Sequence, residues 1–344
     1  MYVDSQQFTT MDTYNPEIHI PNAGRFLEFN LKHRIRQEGT TYNPSIPFYD
    51  NYKGDLKHLM LVRNEELGAE NKSEVNICDL ETMHIIDDAP VFELSQDPYY
   101  LGKFKDAKDK FWTVIGMVKI SVDKNGEIDS WHDELYRYKE SIMELGENCE
   151  TPEPWMKSVE KWKDLRFLQL GNGILVTPRP QGGEFGGLGK VGQFMTKNLD
   201  TLPKDLEKFA SEQDPESIIK GLFAEGHWGS VNQLLGRFRN TKFIKAIGHD
   251  AYWGSDGLRH YNSTCFLIDA FAPGLRSSIV TIAKAEDFPK HEPKPGHKLG
   301  RIVFSAGIVE GNNVAELFTG VGDRMVGIKR IDMHYVDRQL MLAS

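Results

Sequence analysis

The sequence predicts an all-β fold, a five-bladed β-propeller, and three observations carry that expectation. Strand signals run through almost the whole chain, and turn residues punctuate them. The strand clusters recur every 50 to 65 residues, beginning near positions 45, 96, 160, 225 and 298. Each cluster has room for three or four antiparallel strands. Five such units closing in a ring leave only short, protected edges. On pattern alone, a pair of β-sandwiches fits as well.

The units follow in order, with approximate bounds. The first (45–95) contains "HLMLVR" at 58–63. The second (96–159) contains "FWTVIGMVKISV" at 111–122, closed by the turn Lys124-Asn125-Gly126. In the third (160–224), "RFLQL" and "ILVTP" lie within 166–178, on either side of Gly171-Asn172-Gly173. The fourth (225–297) contains "RHYNSTCFLIDAF" at 259–271. In the fifth (298–335), Gly311-Asn312-Asn313 divides "RIVFSAGIV" (301–309) from "VAELFTGVGDRMVGIKRI" (314–331). Residues 1–344 are expected to form one domain, with an N-terminal strand closing the ring. Helical patterning is confined to 134–147 and 204–224, whose lengths and charges suit surface connections between sheets.

The stretch "RPQGGEFGGLGKVG", Arg179 to Gly192, contains a literal G-x-G-x-x-G at Gly187–Gly192. A P-loop would need glycine at 184, where Glu184 stands, and Ser or Thr at the position of Val191. A dinucleotide site would need a helix directly after the loop. Instead comes "QFMTKNLDTLP", short and β-friendly, with Pro203 closing it. A glycine-rich β-hairpin is the expected structure.

Composition narrows the function. There are 41 basic against 50 acidic residues, a net charge of −9, which argues against general affinity for nucleic acid. Cys78, Cys149 and Cys265 show no metal-type spacing and suggest reduced thiols in a cytosol. The longest largely apolar run is about eight residues, Phe111 to Val118, and the N-terminus is polar. No membrane span or signal peptide is read, so a soluble, cytoplasmic protein is expected.

Several segments together resemble a known family. They are "ELSQDPYYLGKF" (93–104), "KWKDLRFLQLGNGILVTPRP" (161–180), "IGHDAYWGSDGLRHYNSTCFLIDA" (247–270) and "ELFTGVGDRMVGI" (316–328). The series resembles the five-bladed mannoside phosphorylases of glycoside hydrolase family 130. The chain is more similar still to a sister group carrying a domain of unknown function, number 1861, which is mannosyltransferase/phosphorylase-like. Its shared segments are "YNPSIPF" (42–48), the glycine-rich "RPQGG…GKVG", "GHWGSVNQ" (226–233) and "VFSAGIV" (303–309). The resemblance spans roughly residues 42 to 331.

The resemblance implies roles for individual residues. Asp97, before Pro98, matches the general acid that protonates the departing glycosidic oxygen. Without the family, Asp-Pro is an ordinary turn cap. Tyr99 stands where the family has Arg after this proline, which puts the sugar contacts of the loop in question. Lys163, Arg179 and His249 match phosphate-binding positions, and Lys190 is expected to point into the same cavity. Arg166 and Arg259 would add to a cationic pocket able to select an anion in an acidic protein. Asp323 matches a carboxylate holding sugar hydroxyls, and Arg63 with Glu65 forms an Arg-x-Glu pattern facing the cavity. Asn232, Tyr261 and Trp228 are candidate sugar contacts. A core histidine, strand-end ion pairs and turn residues would account for several of these equally well.

The implied reaction is inverting phosphorolysis or its reverse, moving a mannosyl-type unit between phosphate and an acceptor. The partner is then an oligosaccharide or glycoside, with inorganic phosphate as co-substrate and no metal or organic cofactor. A homo-oligomer is left open. An inverting hydrolase would instead need a second carboxylate roughly 6.5 to 9.5 Å from the acid. Glu65, Asp164, Asp250 and Asp323 are its candidates. A catalytically inactive, carbohydrate-binding propeller is the non-enzymatic alternative.

Overall fold

The structure, a computed structural model, describes residues 24–27, 39–66, 69–146, 150–181, 185–295, 297–311 and 314–340. Cys149, Asn312, Asn313 and positions 182–184 of the glycine-rich stretch, all singled out above, lie outside the described residues.

Strand β1 (Arg25–Leu27) precedes a first group of six: β2 (Gly39–Tyr42), β3 (Phe48–Tyr52), β4 (Asp55–Glu66), β5 (Glu74–Asp79), β6 (His84–Ile85) and β7 (Phe92–Glu93). The β3–β4 hairpin turns on Lys53 and Gly54, both at positive φ (51° and 94°), the geometry that matches the twist of paired strands. The second group is an antiparallel run of β8 (Ser95–Lys105), β9 (Phe111–Val122), β10 (Ile128–Tyr138) and β11 (Met156–Lys157). Here the helix expected over 134–147 is overturned. Glu134 to Tyr138 pairs along β9, burying Leu135, Tyr136 and Tyr138, so tertiary packing overrides local propensity. Only Ile142–Leu145 is helical, a 3₁₀ turn closed by a Ser141–Glu144 capping box.

The third group holds β12 (Trp162–Leu170), β13 (Gly173–Pro180) and β14 (Phe194–Thr196), covered by α1 (Leu202–Glu212) through buried Leu202, Leu206 and Phe209. Pro203 starts this helix and does not close a strand, since its missing N–H falls in the first turn, where no intrahelical partner exists. The helix expected over 204–224 stops at left-handed Gln213, ahead of Pro215. The next regular element after Gly192 is strand β14, beginning at Phe194, and α1 begins only at Leu202. The loop therefore cannot set a helix N-terminus on a pyrophosphate.

The fourth group comprises β15 (Trp228–Arg237), β16 (Phe243–Trp253), β17 (Arg259–Asp269) and β18 (Val280–Ala283). The fifth comprises β19 (Leu299–Glu310), β20 (Ala315–Val321) and β21 (Met325–Ile331), followed by α2 (Met333–Gln339). Strand β1 pairs antiparallel with β21. By hydrogen bonding, the described residues form sheets of six, four, three and eight strands. The eight-stranded sheet unites the last two groups and β1 through one short parallel contact, Arg259 opposite Leu299 and Tyr261 opposite Ile302.

Packing runs in a cycle through the groups. Phe48 and Ile77 of the first meet Ile115 and Tyr136 of the second. Tyr99 and Leu135 then meet Leu165 and Ile174 of the third. Leu175 meets Val231 and Phe266 of the fourth, and Cys265 and Leu267 meet Val303 and Leu317 of the fifth. A final cluster sets Ala306, Phe318 and Val326 against Met60, Val62 and Cys78 of the first group. The mostly-β chain is thus packed end to end, from last group back to first.

Candidate functional site

The candidate side chains sit where strands break their own regularity. Gln96 faces Val118 and Tyr99 faces Gly116, so Asp97 and Pro98 together oppose Met117. Lys163 faces Arg179 and Arg166 faces Thr177, so Asp164 and Leu165 together oppose Pro178. Asn232 is the extra residue between the pairs Val231–Gly248 and Gln233–Ile247. Each is a β-bulge, which re-aims a side chain off the period-two alternation. Asp97, Asp164, Asn43 and Asp323 all have left-handed φ, 46°, 59°, 43° and 50° respectively. Asp and Asn tolerate that region best among residues with a side chain, and such conformations concentrate at functional sites.

One half of the site is acidic. Asp97 is buried, and its Oδ1 accepts hydrogen bonds from Asn43 Nδ2 (2.7 Å) and Arg63 Nη1 (3.3 Å). Arg63 also donates through Nε and Nη2 to Glu65 Oε2, at 3.1 and 2.8 Å. Lys294 is fully buried and reaches Glu65 Oε1, Glu70 (3.1 Å) and the Tyr42 hydroxyl (3.3 Å). Burial pushes the Glu65 carboxyl up, but Arg63 and Lys294 outweigh it and hold it below its ordinary range. Asp323 is pushed up to about 6 by burial; Arg63 opposes this, while the charges of Asp97 and Glu70 add to it. Asp97 and Asp323 therefore share the field of one arginine.

The other half is cationic. Asp164 pairs with Arg179 at 2.9 Å and Arg166 at 3.7 Å. Burial works against its charge, yet Lys163, Arg179 and Arg166 hold it far below the usual carboxylate range. Three cations share that one ionised group. Arg166 acts as a strut: Nε donates to the Asn232 carbonyl (2.5 Å), Nη1 donates to the Leu165 carbonyl (3.1 Å), and the guanidinium lies 3.8 Å from the Tyr99 ring centre. Tyr99 is core, filling the space over Gly116 in the packing beside the loop. Arg179 Nε and Asn232 Nδ2 are buried with no hydrogen-bond partner among the described residues. Buried donors of this kind call for a ligand or water.

One expectation is corrected here, and His249 takes a definite protonation state. His249 does face the cluster, but it carries no charge near neutrality. Burial and then the nearby Arg179 push its pKa down to about 3. Its Nδ1 lies 2.9 Å from Asn232 Oδ1, which also accepts from Ser230 Oγ (3.3 Å); this puts the proton on Nδ1 and leaves Nε2 an acceptor. Lys190 is exposed and lines a surface cavity of about 660 Å³ with Phe223 and His227, to which Arg179 does not contribute.

Tyr261 joins the halves. It stacks on His249 at 5.3 Å, and Arg259, Asp323 and Arg179 all act on its hydroxyl, whose pKa burial raises. Trp228 is buried beside Trp253 (6.2 Å). Asp250 is tied to His227 at 2.9 Å. Asn43, Glu70, Asp133 and Lys294 belong to the site but were not expected from sequence. Only Asn43 had a signal there, as the Asn-Pro of "YNPSIPF". Asp133 is buried behind the cationic half, its carboxyl pushed up to about 7 by burial and by the charge of Asp164.

Gly320 on β20 gives Asn43 its place, since a Cβ there would overlap Asn43 Oδ1. Gly320→Ala is expected to destabilise the fold by about 1–3 kcal/mol and to displace the Asn43–Asp97 bond. A melting temperature equal to wild type, with unchanged turnover, would contradict this.

Among the described residues no group of three His, Cys, Asp or Glu is placed to hold a metal, and no helix is long and apolar enough to cross a membrane. No curated protein matches the chain. Several solved structures share its fold. MPT-4, a mannose phosphorylase from Leishmania mexicana in complex with phosphate ion, is 23% identical with a TM-score of 0.71, covering 93% of this chain and 91% of its own. MPT-1, a GDP-Man-dependent mannosyltransferase from the same organism, is 21% identical with a TM-score of 0.69, covering 90% and 88%. The β-1,2-mannobiose phosphorylase of Listeria innocua is 12% identical with a TM-score of 0.54, covering 89% and 94%. The family model described as Protein of unknown function (DUF1861) matches residues 28–336, and the chain belongs to that family.

Proposed function

We propose that the cyclic packing is a five-bladed propeller with the site at its axis, and that the protein transfers a mannosyl-type unit between phosphate and a sugar acceptor. The observation that carries this reading is the buried cationic half, with donors on Arg179 and Asn232 that have no partner among the described residues, set beside Asp97 and Asp323. A phosphate nucleophile must exchange its hydration for fixed donors, and a guanidinium supplies them with directional geometry. The acceptor Nε2 of neutral His249 suits the P–OH of hydrogen phosphate. Asp97 is the acid: both of its bonds fall on Oδ1, so Oδ2 is the oxygen left to deliver a proton.

The candidates for a hydrolytic base support the phosphorolytic reading. Asp164 is held so strongly ionised that it is a poor base, Glu65 is clamped by Arg63 and Lys294, and Asp250 is committed to His227. Asp323 stands in the field of Arg63, the arginine that also pairs with Asp97.

Incubation with mannose 1-phosphate and a panel of sugar acceptors is expected to release inorganic phosphate. Arg179→Ala should raise the phosphate requirement by about tenfold or more, with less effect on sugar affinity. Glycosides cleaved equally well without phosphate, and no use of any sugar 1-phosphate, would make the protein a hydrolase.

A further inference from the structure

The cationic half depends on an irregular segment whose backbone β13 cannot satisfy. Opposite Asp164 and Leu165 stands Pro178, which has no N–H to offer the ladder, and its carbonyl already accepts from Gly192 N (2.8 Å). The Leu165 N–H, orphaned by the bulge, donates instead to Asp133 Oδ2 at 3.0 Å, across from β10 in the neighbouring sheet. The bulge has a visible effect on phase. Trp162, Leu165 and Phe167 all pack into one hydrophobic cluster, although regular alternation would put Trp162 on the face opposite the other two. That slip places Lys163, Asp164 and Arg166 around a common charge centre with Arg179.

Asp133 is anchored to do this. Its own N–H donates to Ser158 Oγ and its carbonyl accepts from Ser158 N, both at 2.8 Å. The Tyr99 hydroxyl lies beside its carboxyl, and Tyr99 follows Asp97-Pro98 on β8. One buried side chain thus touches the strand of the acid and the backbone of the cationic bulge.

We propose that Asp133 is a positioning residue that holds the Lys163–Arg166 bulge in its anion-binding shape and fixes its spacing from Asp97. The role in catalysis rests on the phosphate-transfer reading above; the role in the bulge does not. The test compares wild type, Asp133→Asn and Asp133→Ala by calorimetric titration with inorganic phosphate and by hydrogen exchange at the Leu165 amide. Asn keeps an acceptor oxygen for that amide and Ala removes it. Asp133→Asn is expected to bind phosphate within about threefold of wild type, and Asp133→Ala about tenfold or more weakly, with faster Leu165 exchange in Ala alone. Should Asp133→Ala fail to fold, Asp133→Ser, whose hydroxyl is too short to reach the amide, takes its place. Wild-type phosphate affinity and Leu165 protection in the Ala or Ser variant would overturn the proposal, as would equal losses in Asn and Ala. If wild type itself binds no phosphate, the phosphate reading fails, while the Leu165 exchange comparison still decides whether Asp133 holds the bulge.

Discussion

Asp97→Asn is expected to lower turnover on oligosaccharides by about 10²-fold or more while leaving the melting temperature near that of wild type. The side chain keeps its shape, Oδ1 can still accept from Asn43 and Arg63, and Asn adopts the left-handed backbone at φ 46° as readily as Asp. What is lost is the carboxylic proton. The deficit should shrink sharply on an activated aryl glycoside, whose departing oxygen needs no proton. If both substrates lose activity equally, Asp97 orients the sugar and does not act as the acid. If neither loses any, it is only the cap of an Asp-Pro bulge.

Lys294→Met should be the most destabilising single change in the site, by about 3–5 kcal/mol at neutral pH. The ammonium is wholly buried between Glu65 and Glu70, and its removal leaves Glu65 with Arg63 as its one cation. The backbone bond from Lys294 N to the Gly322 carbonyl, next to Asp323, is kept by Met, so the loss is confined to the ammonium's pairs. The pH dependence has a definite sign. Glu65 and Glu70 are both held below their ordinary pKa in the folded protein, so their contribution is present above about pH 4.5 and lost as pH falls through the depressed values. In Lys294→Met that depression is reduced, and the gap from wild type should narrow in acid. Denaturant midpoints at pH 7 and pH 4 check this; coincident midpoints at pH 7 would refute it.

Much of this was legible in the sequence. Strand composition and turn residues marked the β-groups; of the candidate residues, Arg63 pairs with Asp97 and acts on Asp323, and Arg179 acts on His249. The failures share physical causes. Glu134 to Tyr138 is composed like a helix, and only its partners on β9 make it a strand. Bulges leave no periodic trace, so Asp164 and Leu165 could not be told from ordinary alternation. Nothing in the sequence singled out Lys294 or Asp133, because what buries them comes from distant parts of the chain. His249 was expected at a phosphate-binding position, but its neutrality, set by burial and then by Arg179, Lys163 and Arg166, is not something the spacing of one residue reveals.

The cyclic order of the hydrophobic clusters bears on how the protein is made. Four of the five can form as successive segments emerge from the ribosome, each new group packing on the one before. The fifth cannot. Met60, Val62 and Cys78 find their partners Phe318 and Val326 only after the fifth group has been made, and β1 waits for β21. Until then the nascent protein carries an apolar seam at its leading group, a surface for chaperones or for aggregation. Ring closure is also the contact of longest sequence separation, so it is the step expected to set the folding rate.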